Sequence, residues 1–108
     1  MYNEPTAKQL EKIPGHYETE DVTTDEKIIH MHFFIGGCDW YITEYDPVDK
    51  LFFGFANLND DQNAEWGYIS LEEMKESNIK GFEVDRDLNW TVRAVKEVDE
   101  IQKCRMYA

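Results

Sequence analysis

The stretch KIIHMHFFIGGCDWYITEYDPVDKLFFGFANL, residues 27 to 58, limits the fold more than any other part of the chain. Apolar residues alternate along its first nine positions, the two-residue period of a β-strand. Ile29, Met31, Phe33 and Ile35 lie on one side, with Ile28, His30, His32 and Phe34 on the other. Gly36-Gly37 can supply the positive φ angles of a two-residue hairpin. A turn there sets Ile35 opposite Cys38, Phe33 opposite Trp40 and Met31 opposite Ile42, a row of large apolar cross-strand pairs. That face is the expected core. Pro47 marks a second turn between Asp46 and Lys50, leading into LFFGFANL. Pairing Tyr45 with Leu51 then sets Ile42 against Gly54 and Trp40 against Ala56, small residues facing large ones. In this register the second face carries Tyr41, Tyr45, Leu51, Phe53, Phe55, His30 and His32, and Glu44 points to the core side. A slip of one residue would exchange the two faces.

The flanking segments add short helices. TAKQLEKIP reads as a helix capped by Thr6 and stopped by Pro14, giving a helical segment over residues 1–14. The acidic run GHYETEDVTTDE connects it to the meander of residues 27–69, whose fourth strand is EWGYIS. SLEE is a capping-box pattern that opens a helix over 70–78. One or two further strands fall within 81–95, and the tail 96–108 reads as a last helical turn. The expectation is one α+β domain over residues 1–108, an antiparallel meander of four to six strands with short helices packed against it.

A chain that is 42% hydrophobic and 14% aromatic is too apolar to be disordered. Its 23 acidic against 11 basic residues give a formal net charge of −12. Bare nucleic acid is repelled by such a surface, whereas a basic protein is attracted to it. No run reaches the roughly 18 apolar residues of a membrane span, and MYNEPTAKQLEK lacks an apolar signal region, so a cytoplasmic protein is expected. Cys38 and Cys104 form no CxxC unit, and both thiols are expected to be reduced.

Chemistry is sparse. His30 and His32 share a strand face, but a metal site needs a third or fourth ligand that the spacing does not supply. No metal and no cofactor are expected. Glu44, Asp46 and Glu65 are carboxylates without an evident nucleophile or electrophile holder. Arg86, between Asp85 and Asp87, is the expected partner of Glu44 in a structural ion pair. Neither a nucleophile elbow nor a phosphate-binding loop occurs, which points away from an enzyme. An aromatic sheet face can stack single-stranded bases, although that mode also needs a positive groove.

The order of several motifs resembles domain-of-unknown-function family 2958, small proteins often encoded on plasmids and other mobile elements. The matching residues are Pro14 with HYETE at 16–20, WYITEYDP at 40–47, FFG at 52–54, EWGYISLEE at 65–73 and VDRDLNW at 84–90. The resemblance implies a mobile-element setting and, with it, counter-defence. Acidic inhibitors of CRISPR nucleases have this size, and a Cas9-type nuclease holds its nucleic acids in basic channels. The resulting expectation is a non-enzymatic acidic protein that binds a basic nucleic-acid-binding partner through phosphate-mimicking loops. Asp46, Asp49, Asp60, Asp61 and Glu65 would supply the charge, and Tyr41, Phe53 and Phe55 an adjoining anchor. The rival expectation is an accessory module that binds single-stranded nucleic acid, or a helicase-like partner, through the aromatic face.

Overall fold

The computed structural model describes residues 1–105. Its elements in chain order are α1 (Ala7–Leu10), β1 (Ile28–Ile29), β2 (Met31–Ile35), β3 (Cys38–Asp46), β4 (Leu51–Leu58) and β5 (Glu65–Ser70). They continue with α2 (Leu71–Glu76), β6 (Asn78–Ile79), β7 (Phe82–Glu83), β8 (Asp85–Arg86), β9 (Arg93–Ala94) and α3 (Asp99–Arg105). The main sheet has five antiparallel strands in the order β5-β4-β3-β2-β8, so the meander runs β2 to β5 and β8 is added at the β2 edge. Two small ladders, β1 with β9 and β6 with β7, close the remaining segments. The chain is an α+β protein.

The Gly36-Gly37 hairpin forms as the alternation requires. Gly36 has φ +55°, and Ile35, Phe33 and Met31 face Cys38, Trp40 and Ile42. Phe33, Ile42 and Phe52 are completely buried on this face, each contributing about 1.5–3 kcal/mol by removal from water. Ile13 from the N-terminal segment and Leu71 and Met74 from α2 close the layer. Ser70 caps α2 by accepting from the Glu73 N–H at 3.2 Å. Thr6 and Gln9 form a reciprocal box on the single turn of α1.

A β-bulge departs from the expected register. Ile42 faces Gly54 and Trp40 faces Ala56, but Thr43 has no partner, and beyond it Glu44 faces Phe53, Tyr45 faces Phe52 and Asp46 faces Leu51. The unpaired residue reverses the direction of the side chains after it. Tyr45 therefore enters the core against Phe52, at 4.9 Å between ring centroids, instead of lying on the second face. Glu44, expected on the core side, is carried across the sheet. The strands come so close at the bulge that a Cβ on Gly54 would lie 2.1 Å from the Tyr41 carbonyl oxygen. Only glycine fits there. The Thr43 hydroxyl is satisfied by donating to the Phe53 carbonyl at 3.0 Å.

The second face is covered as well. Val95, Val98, Ile101 and Cys104 lie over Tyr41, Phe55 and Ile29 and form a second core. The tail is thus a 3-10 turn (Val95–Glu97) followed by α3, and both are structural cover. The last three residues of the tail, 106–108, fall outside the described residues. Among the described residues no helix is long and apolar enough to cross a membrane.

Candidate functional site

The residues expected to mimic phosphates do not form one surface. Asp46 and Asp49 lie at the turn before β4, whereas Asp60 and Asp61 lie in the loop after it. Eight residues of β4 separate the two ends, about 25 Å at the usual strand rise. Asp46 accepts from the Val48 N–H at 2.9 Å, which shapes its own turn. Asp60 accepts from the Gln62 N–H and Asn63 Nδ2, at 3.1 and 2.5 Å. Asp61 accepts from Asn57 Nδ2 at 2.8 Å and lies 3.4 Å from Lys103 Nζ. The Asn57 hydrogen bond, with Lys103 beside it, holds the Asp61 carboxyl below its usual range. Asp60, Asp61, Asp39 and Glu100 line a groove of about 510 Å³, and Glu65 stands exposed at the start of β5, outside it.

Two members of the expected aromatic anchor are interior. Tyr41 and Phe55 are 3% and 5% exposed because the tail covers them, so they do not form a partner-binding face. The Tyr41 phenol is pushed up strongly by burial and by the charge of Asp39. His32 stacks on Tyr41 at 4.7 Å, with Nδ1 3.0 Å from Asp87 and Nε2 2.7 Å from Asp39. Burial lowers its pKa, but the two carboxylates outweigh burial and the net shift is upward. With a carboxylate on each ring nitrogen, His32 has no lone pair free to take a proton from a ligand.

The Glu44–Arg86 ion pair is not formed. Arg86 Nε donates to the Asn3 carbonyl at 2.9 Å on the β8 edge of the sheet. The bulge turns Glu44 toward the loop of residues 15–27, which wraps over the second face. There Glu44 accepts from the Thr19 hydroxyl and from the Tyr17 N–H (3.4 Å), with Lys27 Nζ at 4.0 Å. Lys27 itself donates to the Thr19 carbonyl and hydroxyl, both at 2.8 Å. The Glu44 side chain is only 8% exposed, so these partners are what make its burial tolerable.

Around this carboxylate the sheet leaves an aromatic pocket of about 430 Å³. Phe53, Trp66 and Tyr68 line it from β4 and β5, and Tyr17 from the loop. Phe53 and Trp66 are near-parallel, 16° apart with centroids at 6.2 Å, and Tyr68 stands at 68° to Phe53. The Tyr17 and Tyr68 hydroxyls meet at 3.2 Å, and that contact raises the Tyr68 pKa, helped by desolvation and by the charges of Tyr17 and Glu44. His16 anchors the loop by its Nε2 contact with the Leu51 carbonyl at 2.8 Å. Of the expected anchor residues only Phe53 belongs to this pocket. Trp66, Tyr68, Tyr17 and Lys27 were not singled out by sequence reasoning, although HYETE, TEYDP, FFG and EWGY supply nearly all of it.

A separate cleft of about 520 Å³ lies under α1 and α2, among Leu10, Ile13, Tyr45 and Leu71. Part of its charged rim is internally paired, with Lys75 at 2.6 Å from Glu4 and 3.6 Å from Glu72. The Glu44 pocket is the more distinctive chemistry.

The model of the family described as "Protein of unknown function (DUF2958)" matches residues 4–98. The chain belongs to this family. No curated protein and no solved structure matches it. The matched span contains every residue of the aromatic pocket and of the bulge, and it ends before α3.

Proposed function

We propose that this family member is a non-enzymatic binding protein whose target is a basic, nucleic-acid-handling protein, with a Cas9-type nuclease as the first candidate. The observation that carries the reading is the acidic groove at the β4–β5 end. Asp60 and Asp61 are fixed there by neutral Asn57, Gln62 and Asn63, which orient the carboxylates without discharging them. Lys103 is the one cation lining the groove among the described residues, against Asp39, Asp60, Asp61 and Glu100. Preoriented carboxylates on a chain of net charge −12 can replace phosphates in a basic channel and speed encounter with it. Such a target lies in the cytoplasm, and an inhibitor of it would travel on the mobile element that it protects.

The separation between the two turns narrows the candidate surface to Asp60, Asp61, Asp39 and Glu100. Asp46 and Asp49 are left as a second, distant pair. The test is capture of a Cas9–guide complex on the immobilised protein, with and without Asp60→Lys and Asp61→Lys together. Capture that weakens with salt, is lost in the double variant and accompanies loss of DNA cleavage supports the reading. Equal capture by both proteins rejects the groove. The rival reading, single-stranded nucleic acid stacked on exposed rings, draws on Phe53, Trp66 and Tyr68. A mobility shift with an oligonucleotide at low salt, in the absence of any protein partner, favours it.

A further inference from the structure

We infer that the pocket around Glu44 is a receptor for the guanidinium of an arginine side chain presented by a protein partner. The pocket lies toward the β3–β4 turn, away from the acidic groove, so this site stands or falls independently of the phosphate-mimic reading. Three observations converge on that ligand. The first is the buried carboxylate. Glu44 accepts from Thr19 and Tyr17, which occupy part of its acceptor capacity, and a carboxylate has room for about four hydrogen bonds. Its internal cation, Lys27, stands off at 4.0 Å because its ammonium is turned to the two Thr19 oxygens. Glu44 therefore has a charge facing the cavity that its own neighbours only partly answer.

The second is the shape of the walls. A near-parallel pair of rings, Phe53 and Trp66, with Tyr68 set across them is suited to a flat cation. Guanidinium stacks on aromatic faces and presents its N–H edge to a carboxylate, whereas a lysine ammonium is a compact, strongly hydrated point charge. The chain treats one of its own arginines in this way: the Arg93 guanidinium lies 3.9 Å from the centre of the Trp90 ring. The third is what remains uncovered. Tyr17 is 65% and Tyr68 54% exposed, although the tail buries Tyr41 and Phe55 on the same face. With Glu20 at the rim and a net charge of −12, the surroundings select a cation over a phosphate-bearing ligand.

The test is a titration of the full isotopically labelled chain with acetyl-Gly-Arg-Gly-amide, reading the Trp66 indole signal, assigned with Trp66→Phe. A saturable shift is expected, with the lysine and norleucine peptides weaker by roughly fivefold or more. Tyr68→Ala should weaken arginine binding by roughly fivefold in a chain that still unfolds cooperatively. Lys27→Met should strengthen it, because the resident cation no longer competes for Glu44, and a gain of affinity cannot come from misfolding. Equal shifts with arginine and norleucine would overturn the inference, as would Lys27→Met binding no better than the wild type. A Trp66 shift produced by adenosine monophosphate or an oligonucleotide, but not by the arginine peptide, would make the pocket a base-stacking site instead.

Discussion

Gly54→Ala tests the bulge, because it adds a single methyl group at the closest approach of two strands. The new Cβ would lie 2.1 Å from the Tyr41 carbonyl oxygen, 3.0 Å from its carbon and 3.1 Å from the Ile42 Cα, all backbone atoms. No side-chain rotation can relieve these contacts. Real Cβ atoms essentially never approach below 3.0 Å, so β3 and β4 must part by close to an ångström. Overpacking of this kind costs about 1–3 kcal/mol. Loosening one or two ladder hydrogen bonds adds about 1 kcal/mol each. A loss near 3 kcal/mol is expected, a large share of the roughly 5–15 kcal/mol that holds a domain together. Gly67 provides the control, since it pairs with Gly54 across β4 and β5 and a Cβ there meets nothing within 4 Å. Gly67→Ala should be neutral or stabilising by up to about 1 kcal/mol. Urea unfolding followed by tryptophan fluorescence gives both values from shifts of the midpoint at constant slope. If Gly54→Ala unfolds within about 0.5 kcal/mol of the wild type, or if both variants lose the same amount, the close approach is not real.

Thr19→Val removes the hydroxyl that donates to buried Glu44 and should cost about 1–3 kcal/mol, whereas Thr19→Ser should stay near the wild type in the same urea assay. Ile101→Ala empties a fully buried position over Tyr41 and Phe55 and should cost about 2–5 kcal/mol, measured by thermal unfolding. His30, between β1 and β2, and His32, in β2, give stability a maximum near pH 6.5. Burial lowers the His30 pKa, so its contribution falls as pH drops from 6.5 through that lowered value. His32 has a raised pKa, so its contribution is complete below 6.5 and is lost as pH rises through the raised value. Melting temperatures across pH should show both slopes, with His32→Gln removing the upper one and His30→Gln the lower one.

Much of the fold was legible because its signals are local. The Gly36-Gly37 turn and the alternation around it fix the β2–β3 pairs, and Ser70 with Glu73 fixes the start of α2. The bulge was not legible, since one unpaired residue at Thr43 leaves no mark on composition or period. That single residue moved Tyr45 into the core and Glu44 across the sheet, which dissolved the expected pair with Arg86. The cover on the second face had a signal that went unread. Val95, Val98, Ile101 and Cys104 recur every third residue, the spacing of a short amphipathic turn and helix. Reading it would have removed Tyr41 and Phe55 from the candidate surface. The pocket itself joins a loop to three strands, and such long-range company cannot be inferred from spacing along the chain.

The five residues Tyr41 to Tyr45 are all buried: Ile42 and Tyr45 face one core, Tyr41 the other, Glu44 the aromatic pocket, and Thr43 sits at the crossing point. β3 is therefore a party wall between two layers. Neither the α2 side nor the tail can peel away alone without stripping a strand on which the opposite layer depends. The two layers should melt as one cooperative unit, and the slowest amide exchange in the molecule should run along β3, through global opening alone.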